Sequence, residues 1–126
     1  MYSHNMVGSN DLDASKKFYD ATFQAIGGKP GIIDDKGRII YIHNGGLFLV
    51  TEPIDGQPAT AGNGCTIGFA MANPEQADAW HRAGVEAGGT AIEDPPGLRE
   101  GSGMKMYLAY LRDPSGNKLC ALHRMS

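Results

Sequence analysis

The chain is written twice, and that constrains its folding more than any other feature. Residues 4–27 read HNMVGSNDLDASKKFYDATFQAIG and residues 66–89 read TIGFAMANPEQADAWHRAGVEAGG. At a constant offset of 62, Phe18 falls on Trp80, Ala21 on Ala83, Ala25 on Ala87 and Gly27 on Gly89. Each stretch opens as a short strand, passes a helix start signal, continues as an amphipathic helix and stops at paired glycines. In the second, Asn73 is a capping residue, Pro74 suits the first helical position and Gln76 is placed to reach back. Its apolar stripe is Ala77, Trp80, Gly84 and Ala87. The first helix starts at Asn10 or Asp11, with Leu12, Ser15, Tyr19, Phe23 and Ile26 as its stripe and Phe18 beside it. Gly27-Gly28 and Gly88-Gly89 end the two helices.

The segments after the two helices also repeat. After the first come strand candidates at 29–33, 38–43 and 47–51, separated by the turn sequences DDKG (34–37) and NGG (44–46). After the second come candidates at 90–93, 104–111 and 118–123. The last two flank RDPSGN (112–117), a tight turn in which Pro114 presets one dihedral and Gly116 or Asn117 accepts positive φ. The order is βαβββ twice in a single domain: repeat 1 over about 2–52, a Pro- and Gly-rich linker at 53–63, and repeat 2 over about 64–124. This predicts an α+β fold.

Composition narrows the partners. The chain of 126 residues is 41% apolar and 20% charged, with a net charge of −3 and no basic block. Nucleic acid and anionic membrane both need clustered Lys and Arg, so neither is expected. No apolar run approaches the roughly 18 residues of a membrane span. The opening MYSHNMVGSND has neither a basic region nor an apolar core like those of a signal peptide. A cytoplasmic protein is expected, with Cys65 and Cys120 as reduced thiols.

The sequence resembles the vicinal oxygen chelate superfamily, which includes glyoxalase I, bleomycin-resistance proteins, extradiol dioxygenases and fosfomycin-resistance enzymes. The resemblance is carried by His4 followed by Asp11-Leu12 and Phe18-Tyr19, by GNG (62–64) leading into TIGF, and by RDPSGNKLCAL (112–122). DGQPATAGNG (55–64) and PPGLREG (95–101) look like a glyoxalase-like subset of small bacterial members. The resemblance implies that each βαβββ repeat curls a mixed sheet into a half-barrel cavity with its helix on the convex face. It also implies a homodimer, with the two units facing each other either within one chain or, as is common in the family, across the pair of chains. Metal-dependent members carry one ligand on the first and one on the last strand of each unit. Those places fall here on His4, Leu49, Thr66 and Cys120.

That set argues against a tightly held metal. His4 is a good ligand and Cys120 can serve zinc, but threonine is poor and leucine is none. Glu52 lies three residues past Leu49, on the opposite strand face unless a bulge intervenes. No cofactor is therefore expected; if a metal binds, His4 and Cys120 hold it. Strand alternation puts His4, Met6 and Gly8 on one face, and Thr66, Gly68 and Ala70 on the matching face of the second repeat. Cys120 and Leu122 share the inward face of the last strand, while Cys65, Ile67, Phe69 and Met71 face the helix as core. The expected cavity is lined by Met6, Leu49, Thr66, Gly68 and Tyr110, Tyr110 being preferred to Tyr107. Arg99 is expected on a glycine-rich loop at 94–106, placed to hold an anionic group. His4 and Cys120 are the candidate catalytic pair, provided they meet. His43, His81 and His123 read as surface or strand-end residues.

The expected function is binding of a small organic molecule in a largely apolar, metal-free cavity. The alternative is a metal-dependent enzyme: a lactoylglutathione-lyase-like (glyoxalase I type) lyase, or a dioxygenase, using Zn, Ni, Mn or Fe.

Overall fold

The computed structural model describes residues 1–125. The first repeat forms β1 (Asn5–Gly8), α1 (Leu12–Ala25), β2 (Ile32–Ile33), β3 (Ile39–His43) and β4 (Gly46–Thr51). The second forms β5 (Ile67–Ala70), α2 (Pro74–Glu86), β6 (Thr90–Ala91), β7 (Gly97–Gly101), β8 (Met104–Arg112) and β9 (Lys118–Arg124). One sheet runs β1-β4-β3-β2 and the other β5-β9-β8-β6, with β7 also paired to β8. In each sheet the first strand runs parallel to the last, and the other pairings are antiparallel. The fold is α+β, two βαβββ-type units whose mixed sheets are not closed into a barrel.

The helix signals act as their chemistry dictates. Asp11 caps α1 by accepting from the Ala14 N–H, and Asn73 caps α2 by accepting from the Gln76 N–H at 2.8 Å. Gln76 reaches back one residue further than the standard box, to the Ala72 N–H at 2.7 Å. Gly27 and Gly88 take positive φ where the helices stop, a conformation that costs a side-chain-bearing residue strain. The two stripes meet. Phe18, Tyr19 and Phe23 from α1 and Ala77 and Trp80 from α2 join Ile39, Tyr41, Phe48, Val50, Leu111 and Leu119 in one core. Helix α1 packs directly on α2, at a point where Gly84 leaves no room for a Cβ against Leu111 and Phe18.

The structure corrects three sequence expectations. Cys65 is exposed, not core, because β5 begins at Ile67 and the strand alternation does not hold two residues ahead of it, next to the turn at Gly64. Residues 94–106 are not an open loop: Gly97–Gly101 pairs with Met104–Leu108 as a hairpin. The strand expected at 29–33 is only Ile32–Ile33. A Cβ at Gly31 would run into Ile39 and Tyr41, and the Gly31 N–H is taken by the Asp20 carboxylate at 2.8 Å instead of a ladder.

The turn at 112–117 adds a polar tie between the repeats to the packing of α1 on α2. Asp113, 3% exposed, accepts the N–H groups of Ser115 and Asn117 on Oδ1, and the Tyr19 hydroxyl (2.6 Å) and Asn117 Nδ2 (2.8 Å) on Oδ2. Asn117 Nδ2 also donates to the Gly8 carbonyl at 2.8 Å. One buried carboxylate thus joins the β8–β9 turn to α1, and through Asn117 to β1.

Candidate functional site

With α1 packed on α2 and both helices sharing one core, the two sheets turn their other faces away from the helices. These faces are where strand alternation predicts a cavity. On the second sheet, Gly68 pairs with Cys120 and Cys120 with Tyr110, which makes one continuous row. Leu122 and Leu108 form the next row, ending at Gly97. Arg99 follows, paired with Met106 on the same face. On the other side of the row lie Arg112 and Lys118, paired with each other, and Thr66, which lines a shallow cleft together with them. A Cβ built at Gly68 meets nothing within 4 Å, so the floor is open there. Tyr107 points the other way and gives its hydroxyl to Asp78 of α2 at 2.7 Å.

This face carries an apolar strip of Leu122, Leu108 and Met106, with the basic side chains of Arg99, Arg112 and Lys118 around it. Lys118 forms an ion pair with Glu93 and sits 5.1 Å above the Tyr110 ring. Arg99 donates to the carbonyls of Asp94 (3.2 Å) and Pro95 (3.0 Å), which fixes its guanidinium beside Gly97. Burial pushes the Cys120 thiol above its ordinary value. The Tyr110 hydroxyl and the Lys118 ammonium pull it down and Glu93 pushes it up, and burial prevails. The thiol donates to the Ala121 carbonyl at 3.5 Å. Burial likewise raises the Tyr110 phenol, with Cys120 adding to the effect. A protonated thiol is a poor nucleophile.

The matching face of the first sheet is apolar. Met6, Leu49, Ile40 and Ile32 form one row, and Leu47 and Ile42 the next. Leu49 is buried, but Met6 is 40% and Ile42 66% exposed. The linker closes one end of this face. Ala59 lies over Gly8, held by two hydrogen bonds with the Asn10 side chain at 2.9 and 2.7 Å. Glu52 stays outside: the β4 register runs unbroken from Gly46 to Thr51 with no bulge, and Glu52 is exposed beyond it.

The registers make the places on the two sheets equivalent. Met6 pairs with Leu49 as Gly68, at the offset of 62, pairs with Cys120. His4 lies one residue ahead of β1, exposed, with Nδ1 2.8 Å from the Ser3 hydroxyl. His4 stands at the start of the first sheet and Cys120 in β9 of the second, where the groups acting on its thiol are Tyr110, Glu93 and Lys118. Among the described residues, no three of His, Cys, Asp and Glu gather as a metal ion requires. With Leu49 and Thr66 at two of the four ligand places, the donor set does not fit a tightly held divalent ion.

Sequence reasoning misses Lys118 and Glu93. Lys118 is within its reach, since it stands two residues before Cys120 and shares its face. Glu93 is not, because its side chain meets Lys118 only through the β6–β8–β9 pairing and its own positive φ.

Comparison with known proteins agrees with this geometry. A glyoxalase/bleomycin resistance protein from Albidiferax ferrireducens is 58% identical over 98% of this chain and 99% of its own, with a TM-score of 0.94. A glyoxalase/bleomycin resistance protein/dioxygenase family enzyme from Burkholderia phytofirmans, 20% identical over 96% of each chain, superposes with a TM-score of 0.73. A glyoxalase-related enzyme from Fulvimarina pelagi, 18% identical over 98% of this chain and 88% of its own, gives 0.71. No protein of curated function matches. The family model of the Glyoxalase/Bleomycin resistance protein/Dioxygenase superfamily matches residues 2–121. With the paired registers, the doubled units and that match over nearly the whole length, the chain belongs to this superfamily.

Proposed function

We propose that this protein binds a small amphipathic organic molecule on the Gly68–Cys120–Tyr110 face, without a tightly held metal, as a homodimer. The observation that carries the reading is the contrast between the two faces. One is an open floor flanked by Arg99, Arg112 and Lys118. The other is an apolar sheet whose Met6 and Ile42 are exposed in the single chain. Laying the apolar face of one copy over the cationic face of another buries the exposed Met and Ile and encloses a cavity. Local charge then sets the ligand. Although the chain carries −3 overall, this face favours an anionic group over a cationic drug, because short-range pairing outweighs a small net charge. The raised Cys120 thiol makes it a wall residue, which supports binding over covalent catalysis.

The test is a thermal-shift screen of aromatic and aliphatic carboxylates against the corresponding amines, with elemental analysis of the same protein. Carboxylates should raise the melting temperature, and Arg99→Ala should lessen the rise. Sedimentation should show a dimer that Ile42→Lys dissociates. About one metal per chain after incubation with Zn²⁺, Ni²⁺, Mn²⁺ or Fe²⁺, lost in His4→Ala, would overturn the metal-free reading in favour of a lyase or dioxygenase.

A further inference from the structure

A second opening lies at the seam between the repeats, lined mainly by helix-side residues and reaching Leu47, Gly68 and Ala70 of the outward faces. Three of the four phenylalanines gather there with a tyrosine and a histidine. Phe23 stacks on Tyr41 (centroids 4.6 Å apart, planes at 12°), and Phe69 from the second repeat meets Phe23 and Phe48 edge-on at 5.7 and 5.4 Å. His43 stands edge-on to Phe23 at 6.0 Å. The rings do not close the seam. Gly46, on the same face of β4 as Phe48, leaves a space where a side chain would fill it. The result is a cleft of about 230 Å³ with an aromatic floor. The side chains of Asn5, His43 and Asn44 at its edge make no hydrogen bond to the described residues.

We infer that this cleft is a binding site for an uncharged planar aromatic molecule of one or two rings bearing a hydroxyl or N–H group. The rings at its floor offer edge-to-face and offset contacts, which a flat aromatic body exploits and an aliphatic one does not. The volume exceeds the roughly 150 Å³ that encloses benzene, so it holds a ring with a substituent. The lining contains no Lys, Arg, Asp or Glu, so nothing there offsets the desolvation of an ionised group. The two amides and the imidazole supply donors and acceptors for one polar group on the ligand. This site adjoins the Cys120 face at Gly68, but Cys120 and Tyr110 lie outside its lining and its charge preference differs.

The test is a titration of the full-length protein with phenol and with indole, followed by carbon–proton NMR, with cyclohexanol and benzoate as comparisons. Phenol and indole should shift the signals of Phe23, Phe48, Phe69 and His43 saturably, with cyclohexanol and benzoate weaker. Gly46→Leu fills the cleft from within and should weaken binding by roughly tenfold or more. A Cβ at Gly46 meets only the His43 carbonyl, at 3.4 Å, so the strand tolerates it. His43→Ala and Asn5→Ala should each weaken binding by about two- to tenfold, the worth of one hydrogen bond. Shifts confined to Cys120 and Tyr110, shifts that do not saturate, or undiminished binding in a folded Gly46→Leu protein would each overturn the assignment. Should Gly46→Leu not fold, the map of wild-type shifts and the two alanine variants decide it.

Discussion

Removing the Asp113 carboxylate should be the most damaging single truncation of a polar side chain in this fold. Asp113→Ala removes the acceptor of four hydrogen bonds, from two backbone N–H groups, the Asn117 amide and the Tyr19 hydroxyl, of which the Asn117 amide keeps a second acceptor, the Gly8 carbonyl. The Tyr19 hydroxyl is the costliest, since the residue is 1% exposed and water cannot replace the lost partner. Burial, reinforced by Asp113, raises the Tyr19 phenol far above its ordinary value, so it stays a donor at every working pH. A buried donor left unpaired costs about 1–3 kcal/mol, and hydrogen bonds to a charged acceptor lie at the upper end. The turn amides regain some water, so the sum is about 3–5 kcal/mol, a large part of the 5–15 kcal/mol typical of a domain. In melting temperature this is about 10–20 °C. Tyr19→Phe removes one of the four bonds and should cost about 1–2 kcal/mol. Asp113→Asn keeps Oδ1 but turns an amide towards Asn117 Nδ2, donor against donor, and should fall between them. Urea unfolding followed by circular dichroism measures all three, and the Tyr19–Asp113 double-mutant cycle should show coupling of about 1 kcal/mol or more. A loss below 1 kcal/mol for Asp113→Ala, or strict additivity in the cycle, would refute the argument that this carboxylate ties the repeats together.

Gly84→Ala should destabilise by about 1–2 kcal/mol in the same unfolding assay. The helix-propensity gain of about 1 kcal/mol is outweighed by forcing a Cβ against Leu111 and, at 3.1 Å, Phe18. Iodoacetamide followed by peptide mass spectrometry should label exposed Cys65 first. Cys120, whose thiol is raised, carries less thiolate than an ordinary thiol at neutral pH, so its labelling should grow only as pH rises. Acid should destabilise the fold partly through Asp20. Burial pushes its carboxyl up, but the Gly31 N–H, Lys16 and the Tyr41 hydroxyl together hold it below its ordinary value. Its contribution is therefore present above the unfolded value of about 3.9 and is lost as pH falls through the lower folded value. Urea midpoints between pH 6 and pH 3 should fall less steeply for Asp20→Asn than for the wild type; parallel curves would count against this.

The sequence discloses what is local or periodic and conceals what depends on a partner strand. Asn73-Pro74 and the glycine pairs act within one turn of chain, so both helices are legible almost to the residue. The offset of 62 exposes the doubled unit, and parity puts Tyr107 and Tyr110 on opposite faces; which of them lines the cavity is decided only by the fold, where Tyr107 meets Asp78 of α2 and Tyr110 pairs with Cys120. Strand β7 is hidden because a Gly- and Pro-rich segment has little strand character of its own; the Met104–Leu108 edge imposes it. Cys65 is misplaced for a similar reason: alternation is carried two residues ahead of Ile67, where the pairing with β9 has not begun to hold the chain extended. The cationic character of the second face is legible only in part. Arg99 and Lys118 come from different strands, and only the β7–β8–β9 order puts them on one surface.

The two repeats keep one framework and put opposite chemistry on it, and that asymmetry can be tested by making the halves alike. Phe18 and Trp80 occupy matched places and both are buried, so the core has stayed large and aromatic on each side. The outer faces have diverged: Met6 beside Leu49 on one, Gly68 beside Cys120 on the other. Two matched apolar faces would simply close on each other and leave no room. Keeping a glycine in the second leaves a space next to Tyr110, Lys118 and Arg99, while the first supplies a cover. Gly68→Met gives the second sheet the residue that the first sheet carries at the same place. Its Cβ meets nothing within 4 Å, so the fold should lose less than about 1 kcal/mol, the modest cost of a compatible strand substitution. The carboxylate-dependent rise in melting temperature should nonetheless disappear, because the methionine occupies the floor. Should Gly68→Met keep both its stability and its ligand response, the ligand does not rest on the Gly68–Cys120–Tyr110 row, and the asymmetry of the two faces must serve something else.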